Sequence, residues 1–200
     1  MVEVKVPSEG VEHLKRLILL LLSTTIVSAQ TPRAEIGVQP RAEIGVQLSG
    51  IRETVFGEYP VGGGGRVTVH AFHFVDAEAE INRYPIGGAA ALFPATQATF
   101  GARVGQRWGP FGLYGNLRPG FMQFDANARI PNLGTRAALD WGGVLELYSS
   151  RHVATRFDLG DAVVWYGKNT VVPPLSAPRT GTIAGTRHQL KWSLGVSLWF

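Results

Sequence analysis

Charged residues recur at alternate positions in stretches otherwise made of small and apolar side chains. Glu78 and Glu80 stand in "AEAEINRY", Arg103 in "ATFGARVGQRW" and Arg118 in "LYGNLRPG". Asp140 and Glu146 fall in "LDWGGVLELY", and Arg156 and Asp158 in "ATRFDLG". Single charges of both signs, spaced by glycines, suit a confined space where each guanidinium must meet a carboxylate, because an unpaired charge away from water is costly. Two chemistries follow from that pairing. One is a hydrated, switchable path of ion pairs; the other is a packed polar plug. An interior formed by about eight strands is just filled by side chains, which favours the plug.

Other candidate chemistry is thinner. "VGGGGR" (Val61 to Arg66) precedes a strand pattern rather than a helix and lacks the lysine-serine or lysine-threonine element of a phosphate-binding loop. It reads as a flexible surface loop, and "GKNT" (Gly167 to Thr170) fails for the same reason. His70 and His73 have no third metal ligand beside them. His152 with Ser149 or Ser150 is the nearest base-nucleophile pairing, but it lies in a short turn, and His188 has no serine at a neighbouring same-face position. The sequence therefore predicts no enzyme, cofactor or metal.

The elements that carry the charges are strands. Period-2 alternation predicts them at about 41–51, 65–72, 77–84, 98–108, 111–124, 136–148, 153–166 and 187–200. Strands two and three, four and five, and six and seven are joined by "HFVD", "GP" and "SSRH". The remaining connections, Arg52 to Gly64, Pro85 to Gln97, Asp125 to Thr135 and Gly167 to Thr186, are long. Strict alternation of short and long links predicts an all-β, eight-stranded antiparallel up-and-down barrel whose two ends face different surroundings, as in transmembrane barrels.

A soluble lipocalin-like barrel would invert the two faces. The polar parity argues against inversion, because it carries paired charges and glycines rather than dense Lys, Ser and Thr. The other parity is broadly apolar: Val67, Val69, Phe100, Val104, Leu113, Leu117, Phe121, Leu139, Trp141, Leu145, Leu147, Phe157, Leu159, Val163 and Trp165. In hydrocarbon every backbone polar group must be paired, and a closed barrel achieves this. Trp108, Phe111, Tyr148, Trp165, Tyr166, Trp199 and Phe200 gather at strand ends, as interfacial girdles do, although a sandwich core could also hold them. Asp161 lies on the apolar parity, a misfit that needs a bulge or the membrane rim.

At the amino terminus Lys15 and Arg16 precede "LILLLLSTTIV" and "SAQ", a basic, apolar and small-residue series that predicts a signal peptide over 1–29. "PRAEIGVQ" then occurs twice, at Pro32 to Gln39 and Pro40 to Gln47. The first copy reads as part of a periplasmic linker over 30–40, and the second as strand one of a barrel domain over 41–200. Cysteine is absent, and the net charge of +4 comes from scattered Lys and Arg, so nucleic acid is not an expected partner.

The chain ends in "SLGVSLWF", which resembles the C-terminal targeting signal of bacterial outer-membrane barrels through Ser193, Gly195, Leu198 and Phe200. That resemblance implies recognition by the barrel-assembly machinery; Leu198 departs from it, since an aromatic is commoner there. Stretches such as "GGGGRVTVHAFHFVDAEAEINRYP" and "LDWGGVLELYSSRHVATRFDLGDAVV" resemble the eight-stranded, OmpA/OmpX-like outer-membrane proteins of Gram-negative bacteria. The resemblance implies a monomer in outer-membrane lipid that presents loops, with an adhesion or envelope-integrity role. A narrow porin-like pore gated by the interior Arg, Glu and Asp, and a lipid-modifying enzyme, are the alternatives.

Overall fold

A computed structural model describes residues 42–52, 59–72, 74–85, 94–125, 134–171 and 181–200. The predicted signal peptide and linker lie outside the described residues. Eight strands follow in chain order: β1 (Ala42–Ile51), β2 (Val61–Phe72), β3 (Val75–Tyr84), β4 (Ala95–Trp108), β5 (Phe111–Phe124), β6 (Thr135–Tyr148), β7 (Val153–Val171) and β8 (Gly181–Trp199). Each pairs antiparallel with the next, and β1 closes on β8 through Glu43↔Trp199 to Ile51↔Lys191. The seam is tied at its end by the Phe200 N–H donating to Ala42 O at 2.9 Å. Closure leaves no strand edge along the paired rungs, so the ladder satisfies the backbone there.

The second octapeptide copy supplies β1, and the residues after it explain the choice. Ser49 is buried with its hydroxyl 2.9 Å from Tyr84 Oη, and Ile51 is buried in an apolar cluster. The first copy is followed by Pro40-Arg41-Ala42-Glu43, which in the same register would put Arg41 at Ser49 and Glu43 at Ile51. Burying those charges there without partners is costly.

The glycine run corrects the sequence expectation. Gly62 to Gly65 are not a surface loop but part of β2, paired with Ser49 to Val46 on one side and, from Gly63, with Arg83 to Ile81 on the other. A Cβ on Gly62 would stand 2.0 Å from Arg83 O, and one on Gly64 2.1 Å from Asn82 Oδ1. Only glycine permits that approach of neighbouring strands. β7 and β8 are also longer than expected, and pair as far as Val171↔Gly181 past a bulge at Trp165/Gly167.

Alternation divides the side chains as expected. Phe100 and Leu113 on the outward parity are 65% and 56% exposed, whereas Arg103 and Glu78 on the inward parity are fully buried. Val163 is an exception, outward in parity yet buried. Of the seven girdle aromatics, Trp108, Phe111, Trp165 and Phe200 face outward, but Tyr148, Tyr166 and Trp199 turn into the lumen. Their parity follows Glu146, Val164 and Ser197, and the two tyrosine hydroxyls find lumen partners in Glu146 and Gln189.

Candidate functional site

The lumen is filled in three layers. Towards the end with long connections, Ile51, Tyr84, Met122, Phe124, Ala138 and Tyr166 belong to one apolar cluster, with the Phe124 and Tyr166 rings 5.8 Å apart. Towards the short turns, Tyr148, Ala154 and Trp199 form a second, smaller cluster. Between them lies a continuous network of charges to which every strand contributes.

Arg118 of β5 donates from Nη1 to Glu80 Oε2 at 2.8 Å and to Glu78, and from Nη2 to Asp140 Oδ2 at 2.9 Å. Arg156 of β7 reaches Glu78 from the opposite wall, with Nη2 to Oε1 at 3.0 Å, and holds Asp158 through Nε and Nη2 at 2.9 and 2.6 Å. Glu78 is therefore shared between two guanidiniums. Arg103 of β4 donates from Nε to Asp76 at 2.8 Å, from Nη1 to Glu146, and lies 3.3 Å from Glu43 Oε2. Tyr148 Oη donates to Glu146, and the Arg103 guanidinium stacks over the Tyr114 ring at 4.4 Å.

All eight sequence-predicted lumen residues, Glu78, Glu80, Arg103, Arg118, Asp140, Glu146, Arg156 and Asp158, are thus brought into this one network. Four further members were missing from the sequence expectation. Lys191 of β8 donates to Glu80 Oε1 at 2.6 Å and to Asp140. Arg66 of β2 donates to Gln47 Oε1 at 2.6 Å and lies 3.5 Å from Glu43; Asp76 and Glu43 complete the set. Each shares the inward parity of its strand, which was the available signal.

The assembly-signal residues divide by face. Ser193 and Gly195 face the lumen, where Ser193 Oγ donates to Asp158 Oδ2 at 3.1 Å. A Cβ on Gly195 would stand 2.6 Å from Val46 O. Leu198 and Phe200 face outward, 50% and 66% exposed.

The weaker candidates acquire ordinary roles. Ser150 Oγ accepts the His152 and Val153 backbone N–H groups at 3.2 and 3.1 Å and so holds a turn. His70 Nδ1 lies 2.8 Å from Asp76 Oδ1, and His73 is outside the described residues. At the long-connection rim Arg83 donates to Thr96 Oγ1 at 2.8 Å and to Asp125 Oδ1 at 2.9 Å. That donation holds the Asp125 carboxyl below its ordinary value.

The arrangement can neutralise charge and fill space. Each buried guanidinium has at least two carboxylates within 4 Å, and an apolar cluster lies on either side of the charges.

No protein-family model and no curated protein sequence matches the chain. Solved structures do. The N-terminal β-barrel domain of Pseudomonas aeruginosa OprF is similar over 81% of this chain and 100% of its own, at 13% identity and a TM-score of 0.54. Neisserial surface protein A is similar over 80% of this chain and 97% of its own, at 14% identity and a TM-score of 0.51. Strand number, closure and these two likenesses agree that the chain has the fold of the eight-stranded outer-membrane β-barrels.

Proposed function

We propose that the chain is a structural, non-enzymatic outer-membrane protein, exported through the segment over 1–29 and inserted as a monomer. Its apolar wall faces lipid, its lumen is closed, and its long connections face outward to contact other molecules in adhesion or envelope integrity. The observation that carries this reading is the inversion of polarity between wall and lumen: among the described residues, large apolar side chains cover the outside while twelve Asp, Glu, Lys and Arg side chains are buried within. A water-soluble barrel would gain nothing from that arrangement. Insertion by the barrel-assembly machinery, acting on the last strand through edge pairing, belongs to the same proposal.

The pore and enzyme alternatives gain less support. The charge layer is interlocked across the barrel and bounded by two apolar clusters, which disfavours conduction. Fractionation of expressing cells, followed by gel migration with and without heating, tests the main reading. We expect membrane-bound, heat-modifiable protein. A polypeptide that is folded and monodisperse without detergent overturns it. Discrete steps in planar-bilayer recordings, abolished in Arg103→Ala, would establish the pore, and altered lipid A acylation in cells carrying the gene would establish the enzyme.

A further inference from the structure

The charges of the lumen do not balance evenly along its length. Glu78, Glu80, Asp140 and Asp158 are matched in number by Arg66, Arg118, Arg156 and Lys191. Towards the short turns, Glu43, Asp76 and Glu146 converge on Arg103. Arg66 and Arg156 come within 3.5 Å of Glu43 and 3.7 Å of Glu146, respectively, but both already hold Asp158. Among the described residues, seven buried carboxylates thus meet five buried cations, and the excess lies at the short-turn end. Uncompensated charge in such a space is costly.

Two groups at that end can make up the difference. Arg107, partly exposed, holds its guanidinium 3.7 Å from the centre of the Tyr148 ring, whose hydroxyl donates to Glu146. His70 is the other. It stands opposite Asp76 in the β2–β3 register, with Nδ1 2.8 Å from Asp76 Oδ1 and its side chain 27% exposed. Asp76 Oδ2 accepts Arg103 Nε at 2.8 Å, so this carboxylate joins an imidazole within reach of water to a buried guanidinium. Among the described residues, Asp76 of β3 is the charged group in contact with His70, with Arg103 of β4 and then Glu43 of β1 behind it. Arg41, next along the chain before β1, lies outside the described residues.

We propose that His70 is a proton-operated latch on the lumen. Protonated from the short-turn mouth, it supplies the cation that the Arg103 cluster lacks; neutral, it leaves that cluster short. Histidine is the side chain whose charge ordinarily changes between about pH 5 and pH 8. In the imidazolium form both ring nitrogens donate, so Nδ1 makes a charge-assisted hydrogen bond to Asp76. The contribution is complete while the ring is charged, and it is lost as pH rises through the imidazole range. The latch needs the closed lumen and no particular compartment at either mouth.

The test is urea unfolding of the full folded chain in phosphatidylcholine vesicles, at about pH 5.5 and about pH 8.5, for the native sequence and His70→Gln. We expect the substitution to lower the folding constant roughly tenfold at the acid pH, the worth of a hydrogen bond between charged groups, and about threefold or less at the alkaline pH. Comparing the two chains at each pH cancels the titration of the other histidines. His152→Gln, in the exposed turn, should leave the constant unchanged at both. His70→Lys, whose charge persists, should lose less stability than the native sequence between the two conditions. A ratio of native to His70→Gln that is equal at the two pH values, or larger at the alkaline one, overturns the latch. Heat-modifiable migration verifies that each variant folds. Where His70→Gln does not, His70→Lys decides alone, and a pH dependence equal to that of the native sequence overturns the proposal.

Discussion

Charge is handled in two opposite ways in this barrel. In the lumen, Glu78, Arg118, Arg156 and their neighbours are interlocked, each charge touching several others and none reaching solvent. On the outer wall, Asp161 pairs with His188 and accepts a backbone amide, and the imidazole is largely exposed. The lumen arrangement has redundancy within its network but no access to water when one member is lost. The wall arrangement is the smaller and the more exposed, so solvent or headgroups can replace whatever is removed. Stability should therefore depend on the first, and interaction with the surroundings on the second.

The largest effect should come from breaking the shared acceptor. Glu78→Gln leaves Arg118 and Arg156 facing each other with less negative charge, and should cost about 3–5 kcal/mol of unfolding free energy in urea titrations of the lipid-inserted barrel. Leu145→Arg, on the outward face of β6, should cost about 2–4 kcal/mol in lipid; a negligible change would mean that this wall does not meet hydrocarbon. Gly64→Val pushes a side chain into Ile81 O and Asn82, within 2.2 Å of both for its Cβ alone. It should cost about 1–3 kcal/mol, read in the same titration. Asp161→Asn should be the mildest, below about 1 kcal/mol. A loss as large as that of Glu78→Gln would erase the distinction between the two regions.

Much of the lumen was legible because alternation is a local property. Once a strand is located, parity alone sends Arg103, Asp140, Glu146 and Arg156 inside, without knowledge of their partners. The omissions have particular causes. Asp76 lies just before the predicted start of strand three, and Arg66 adjoins glycines whose composition suggests a loop. Those glycines are needed by a close strand approach that no local pattern encodes. Tyr148, Tyr166 and Trp199 were assigned to the girdle by residue type and position, although their parity placed them inside. The pairings themselves, such as Glu78 with Arg156 across the barrel, depend on closure and could not be read from either segment. The tie of Asp161 to the Gln189 amide likewise needed the register of β7 against β8.

Sharing of Glu78 also bears on the order of construction. Its carboxylate is contributed early in the chain, on β3, while one of the two arginines that neutralise it arrives on β7. A sheet that has not yet curled leaves that acid, and the late arginine, each short of a counter-charge. Such a half-built intermediate is penalised for entering oil until its ends meet, so the wiring of the interior makes completion of the cylinder and departure from water a single event.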